Sequence, residues 1–374
     1  MWQGPDLEYA FPAVRGVQAG RVFFVSTCPL RVVAKLFVYD SEELQADLRA
    51  QRALNKGRLP ELVRYMVDNP TSYVFSALTV SIDGAAYFSS LPGTDLRTSP
   101  LGTLHVAMNA RFVINDGQHR RAAICEAIRQ APRLADETIG VVFFLDAGLE
   151  RCQQMFADLN RHAVRPSTSL GVLYDRRDAD GQLARLLALE HPIFRGFVDM
   201  ESSSLPKASG KLFTLSALYG ATRTLLHGLD DLNHDQRRAI AFDYWAVIGS
   251  LMSGWAQVRE QRFRSSDLRA QFIHSHGIAL AAFGRIGNTI IRETRDPVAW
   301  RDTLSALATV DWSRSNPLWE GRALVGGSVS KARTNLLLTT AAIRRHLGLA
   351  LPPDEEQAEQ KLTEARSEQR KGTA

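Results

Sequence analysis

Val113-Ile114-Asn115-Asp116-Gly117-Gln118-His119-Arg120-Arg121-Ala122-Ala123-Ile124 is the stretch on which the reading of this chain turns. Its opening residues are apolar and β-prone, Asp116-Gly117 breaks the run, and Ala123, Ile124, Ala127 and Ile128 then share one helical face. The order is strand, tight turn, helix start. The first N–H groups of a helix lack intrahelical partners and sit at the positive end of its dipole, so such a turn suits an anion, above all a phosphate. Gly117 lets backbone approach closely, and His119, Arg120 and Arg121 add side-chain donors. Asp116 brings an acid to the same place, either as the cap of the helix or as a group that holds a metal ion or positions water. A capped helix with a solvated basic first turn accounts for the same residues without a ligand.

Asp116-Gly117-Gln118-His119-Arg120 spells the motif that names the DGQHR-domain family, and the chain resembles the DndB group of DNA sulfur-modification proteins within it. The likeness extends to Phe156-Ala157-Asp158-Leu159-Asn160-Arg161-His162, to Leu212-Phe213-Thr214-Leu215 and to Leu318-Trp319-Glu320-Gly321, so it covers most of the chain. More distantly, residues 116–123 resemble the Gly-Glu-Arg-Arg-x-Arg-Ala box of ParB-type proteins, which binds nucleotide phosphates; Gln118 stands where that box has Glu. The DGQHR resemblance implies a repressor of the operon for DNA phosphorothioation, a defence system, with the helical second half touching DNA.

Composition sets the frame. With 374 residues, 45% hydrophobic and 23% charged, the chain reads as an ordinary globular protein of two domains. The longest apolar runs, such as residues 141–145, are strand-sized, and the N-terminus lacks the basic-then-apolar order of a signal peptide, so a cytoplasmic protein without a membrane span is expected. Cys28, Cys125 and Cys152 form no CxxC pair and read as reduced thiols. Lys and Arg balance Asp and Glu at 22 each in residues 1–200, whereas residues 201–350 hold 19 against 12. The second half is therefore where a nucleic-acid surface is sought.

Taken in order, residues 14–18 and 21–26 are short strands meeting at a glycine turn, and 31–39 has the period-two character of a strand. Helices are predicted over 41–53 and 56–67, the second ended by Asn69-Pro70, then a strand over 73–81 stopping at Asp83-Gly84. Residues 89–100 form a polar loop. Residues 101–108 and 111–115 are expected to pair as a hairpin leading into the motif, and 138–145 is a strand buried on both faces. The fold expected is α+β: a mixed α/β, ParB-like domain over 1–150, a mostly helical domain over 151–350, and a charged tail over 351–374, loosely helical or disordered.

Beyond the motif, a helix over 149–160 ends at a second polar constellation, Asn160, Arg161, His162 and Arg165, followed by Ser167. Guanidiniums and hydroxyls there suit phosphate oxygens, although Asn160 also serves as a helix C-cap and Ser167 as the next N-cap. Residues 201–211 read as a mobile polar loop. Its Ser209-Gly210-Lys211 resembles the end of a P-loop, but Leu205 and Leu212 occupy the required glycine and hydroxyl positions, which excludes that motif. Lys207 and Lys211 are candidate contacts to a nucleic-acid backbone or solvated charges. Helices over 235–255, 274–291 and 297–307 carry Trp245, Trp255 and Trp300 among apolar neighbours, as core. His274 and His276 lack an acid at zinc-ligand spacing. Gly326-Gly327-Ser328 opens a last helix over 329–347 whose Lys331, Arg333 and Asn335 are placed to read DNA or to solvate a face.

Two functional readings follow. One is a DNA-binding repressor that recognises double-stranded promoter DNA and works beside other DNA sulfur-modification proteins, as a single chain or a homo-oligomer. The other is an NTP-hydrolysing, DNA-nicking component of the same system, with ATP or GTP and Mg²⁺, Asp116 as metal ligand, and Asp116, Gln118 and His119 as the catalytic set. In both, Gly117, Arg120, Arg121, Asn160, Arg161, His162, Arg165 and Ser167 hold phosphates, of a nucleotide or, in the first, of DNA. A nucleotide-gated regulator would combine the two.

Overall fold

Ala19 and Gly20, with φ of 49° and 75°, turn the chain between β1 (Glu8–Gln18) and β2 (Arg21–Pro29), the predicted glycine turn. The computed structural model describes residues 7–37, 57, 59–91, 99–145, 155 and 166–372. They fall into two compact units, residues 1–164 and 165–374.

In the first unit, β2 is followed by α1 (Leu30–Leu36), α2 (Leu59–Asp68), β3 (Leu78–Asp83), β4 (Ala86–Ser90), β5 (Leu101–Ala107), β6 (Arg111–Asp116), α3 (Gln118–Gln130) and β7 (Thr138–Leu145). The strands form one sheet in the order β4-β5-β1-β2-β7-β3-β6, antiparallel except where β3 runs parallel to β7. Two links give the sheet its shape. Residues 84–85 join β3 to β4 and residues 108–110 join β5 to β6, although each link connects opposite ends of the strand order. Consecutive Cα atoms are about 3.8 Å apart, so links this short require the two ends to lie side by side. The sheet therefore curls most of the way into a barrel. The Ala107 N–H donates to the Ala85 carbonyl at 2.9 Å, and a Cβ on Gly84 would lie 2.5 Å from that of Ala110. Inside the curl, the Phe11 ring of β1 meets Phe112 of β6 at 6.3 Å and Phe143 of β7 at 5.1 Å.

This topology corrects the expected hairpin. The turn at 108–110 exists, but β5 pairs with β1 and β4 while β6 pairs with β3. The expected strand over 31–39 is instead α1, because Leu30, Val33 and Phe37 bury at helical spacing. Of the strand expected over 73–81, the ladder takes up only the part from Leu78 onward. The helix expected over 41–53 lies outside the described residues. On β7, alternate residues are fully buried and those between them only partly. Cys28 is buried, and burial pushes its thiol up to about 12.

The second unit is mostly helical: α4 (Thr168–Tyr174), α5 (Ala179–Glu190), α6 (Leu215–Leu225), α7 (His234–Leu251), α8 (Ser253–Arg259), α9 (Ser265–Gln271), α10 (Gly277–Glu293), α11 (Pro297–Leu304), α12 (Arg333–His346) and α13 (Pro353–Gly372). A two-residue parallel pair, Val198–Asp199 with Phe213–Thr214, precedes α6. Ile278, Leu280, Phe283, Ile286, Ile290 and Ile291 bury α10 on several sides. Its Gly284 brings α6 into backbone contact, since a Cβ there would sit 2.3 Å from the Ala221 carbonyl oxygen. Trp245, Trp255 and Trp300 are core, as their neighbours implied.

Two expectations change here. Gly326 and Gly327 do not open the last helix; they turn a short hairpin, Leu324–Val325 with Ser328–Val329, and α12 starts at Arg333. The charged tail is a docked helix: Glu355 and Glu359 of α13 are buried against Arg285, Arg344 and Arg322.

Candidate functional site

At the motif, β6 ends on Asp116, Gly117 takes a left-handed conformation (φ 102°, ψ 17°), and α3 begins at Gln118, so strand, turn and helix start are all present. Asp116 does not cap the helix. Its carboxylate accepts from Arg120 at 2.6 Å across the turn, while the other terminal nitrogen of Arg120 donates to the carbonyls of Ser76 at 2.6 Å and Ala77 at 2.8 Å. Arg120 thus stitches the turn to the segment entering β3. Gly117 is buried, and a Cβ there would lie 2.4 Å from the Leu78 methyl group; what glycine admits at this point is hydrocarbon. Gln118 is buried and reaches back to the Ile114 carbonyl at 3.4 Å. Arg121 donates to the Ala34 carbonyl at 3.2 Å, while its Nε is buried without a hydrogen-bond partner. His119 is partly buried and engaged.

Among the described residues no three His, Cys, Asp or Glu side chains gather as metal ligands, and one oxygen of the Asp116 carboxylate is held by Arg120. Asn160, Arg161, His162 and Arg165 lie outside the described residues. Ser167 is the N-cap of α4, accepting from Leu170 N–H at 3.1 Å, and its hydroxyl donates to the Glu201 carbonyl.

The helical unit brings two other predicted segments together. The loop over 201–211 is not a loose one. A terminal nitrogen of Arg269, a residue 8% exposed, donates to the carbonyls of Pro206 at 3.0 Å, Lys207 at 3.0 Å and Ser209 at 2.9 Å. The Ser265 hydroxyl holds the Gly210 carbonyl at 2.9 Å, and Lys211 Nζ donates to the Gly196 carbonyl at 2.8 Å. The Arg269 carbonyl in turn accepts from His276 Nε2 at 2.7 Å. Burial drives the His276 ring down to about 4 and, opposed by that hydrogen bond, the charges of Arg314, Arg269 and Lys331 press it the same way. Cations from the 201–211 anchor and from the approach to α12 therefore crowd one histidine.

Lys331, whose charge acts on His276, is exposed, as are Arg333 in the first turn of α12 and Lys207 on the anchored loop. Asn335 is partly buried, and its amide donates to the Arg322 carbonyl at 2.6 Å and accepts from Ser330 at 2.8 Å, latching α12 to the preceding turn. From Leu338 to Arg344, α12 is buried, which leaves its first turn exposed, along with Arg345 and His346 at its far end. Arg269 and Arg314 were missed in the sequence because their spacing carries no local signal, and His276 was weighed there only as a zinc ligand.

A family model described as DNA-sulfur modification-associated (DndB) matches residues 11–350. The chain belongs to the DndB family. The match includes the DGQHR turn and the cationic cluster, and it stops short of α13. DndB membership ties the chain to DNA sulfur modification. No curated protein and no solved structure matches it. Among the described residues, no helix is long and apolar enough to cross a membrane.

Proposed function

We propose that this DndB-family chain is a DNA-binding regulator of a DNA sulfur-modification system, and that it meets double-stranded DNA through the cationic face built from Lys207, Lys331 and Arg333. The convergence of the 201–211 loop and the entry of α12 around His276 carries this reading. Helix-based readers present N-terminal residues to the groove while the helix body is packed in protein, which is the state of α12. Arg269 is spent on holding the loop and Arg314 donates to the Gly327 carbonyl at 2.6 Å, so both act as positioning residues. The three exposed cations are left for phosphate oxygens.

The DGQHR turn enters as the brace of the barrel unit. One oxygen of the Asp116 carboxylate accepts from Arg120, and no step is routed through it. The test is binding of a labelled duplex carrying the promoter of the modification operon, followed by fluorescence anisotropy against an unrelated duplex of equal length. Preferential binding, weakened by combined Lys207→Ala, Lys331→Ala and Arg333→Ala, is the expected outcome. Equal affinity of the triple variant and the parent would remove this face from the reading.

A further inference from the structure

A cleft of about 590 Å³ opens between α6 and α10, with Tyr219, Arg223, His227, Arg285, Asn288 and Arg344 on its walls. Its volume is that of a small-molecule site, and its lining residues carry three guanidiniums and an imidazole, with the Asp178 carboxylate bonded to the Tyr219 hydroxyl at its edge. We propose that this cleft binds a nucleotide through its phosphates, separately from the DNA-facing cations and from the DGQHR turn.

The negative end of α6, which would repel an anion, is already neutralised. Asn288 Nδ2 donates to the Leu225 and His227 carbonyls, both at 2.9 Å, and Arg292 donates to the His227 carbonyl at 3.0 Å. The cleft arginines are fixed in place. Arg344, 2% exposed, donates to Thr289 Oγ1 at 2.8 Å and faces Glu355 Oε2 at 3.1 Å. Arg285 reaches Asp354 at 3.0 Å and Glu355 at 3.1 Å. Both acids come from the first turn of α13, are not among the residues lining the cleft, and fix the two guanidiniums in place. Arg223, exposed and one turn beyond Tyr219 on α6, makes no ion pair among the described residues. A preorganised pair of arginines plus one unpaired arginine suits a di- or triphosphate. The Tyr219 ring and Pro352 give a base an apolar wall.

The experiment is isothermal titration of the full chain, without Mg²⁺, with ATP, GTP, AMP, pyrophosphate and inorganic phosphate, repeated with a short duplex. The parent protein is expected to bind a nucleoside triphosphate more tightly than AMP. Arg223→Glu should weaken it by tenfold or more, about the loss of one charged hydrogen bond, at unchanged melting temperature because Arg223 is exposed. Arg121→Ala, at the DGQHR turn, should leave it unchanged. No binding of any phosphate compound at about 1 mM would overturn the proposal. So would nucleotide affinity indifferent to Arg223→Glu, loss in Arg121→Ala instead, or an Arg223→Glu effect confined to the duplex, which would make the cleft part of the DNA surface. Pyrophosphate binding as tightly as ATP would overturn the base wall and with it the nucleotide.

Discussion

Arg322 and Glu359 meet in a buried two-pronged ion pair, with side chains 8% and 4% exposed, and the pair docks α13 on the helical unit. Arg345 also donates to the same carboxylate at 2.6 Å, and Arg322 to the Leu338 carbonyl at 3.0 Å. Removing one partner of such a pair strands the other charge away from water, which costs about 3–5 kcal/mol. Glu359→Ala is therefore expected to lower the unfolding free energy by that order in urea titrations. Glu359→Gln, which keeps an acceptor for Arg322, should lose less. A Glu359→Ala protein as stable as its parent would show that α13 is not held there.

Gly117→Ala tests the turn at the motif. The position combines φ of 102°, which an L side chain rarely adopts, with a Leu78 methyl group 2.4 Å from where the Cβ would go. Strain and overlap together are expected to cost about 2–4 kcal/mol. Leu78→Ala in the same chain relieves the overlap but not the strain. The double variant should therefore be less destabilised than the two single changes added together, which chemical denaturation of all four proteins measures. Additive losses would separate Gly117 from Leu78.

How much of this was readable follows from the range of each interaction. The strand-turn-helix order at 113–128 was legible because Asp116-Gly117 and the Ala123, Ile124, Ala127 face are local features. The partner of β6 was not, because nothing within residues 101–116 says that β5 pairs across the curl with β1. Residues 31–39 misled because Val32 and Val33 favour strands, while burial of Leu30, Val33 and Phe37 decided for a helix. The docking of α13 rests on pairs 37 and 70 residues apart, Arg322 with Glu359 and Arg285 with Glu355, and a charged tail looks the same with or without them. In the candidate site, Lys207, Lys331 and Arg333 could be singled out as exposed cations, but Arg269, which holds the loop, looks in sequence like any other surface arginine.

Lys331→Ala and Arg333→Ala bear on DNA binding through salt. Each cation withdrawn from a phosphate should reduce the slope of log affinity against log salt by about 0.9, so the double variant should flatten it by about 1.8. Both residues are exposed and form no ion pair among the described residues, so folding should be unaffected. Affinity measured from low to moderate salt checks this; a weaker complex with the parent's slope would mean that the two cations shape the protein and do not touch phosphate.

His274 and His276 make the helical unit sensitive to mild acid. Burial lowers both rings from the ordinary 6.5 to about 4, with His276 pressing on His274 and neighbouring cations pressing on His276. In the unfolded chain the same rings take up protons near 6.5. Between 6.5 and 4 the unfolded state therefore binds more protons than the folded one, so the stability these residues contribute is complete above 6.5 and is lost as the pH falls towards 4. For the pair, the loss should be about 2.5 kcal/mol on going from pH 7 to pH 5.5, a window above most carboxylate titrations. His276→Gln keeps a donor for the Arg269 carbonyl but cannot be protonated, so it should halve the dependence while Arg269 continues to hold the 201–211 loop. Urea midpoints at the two pH values for both proteins decide it: equal pH dependence in parent and variant would mean that the His276 ring is already open to water in the folded state.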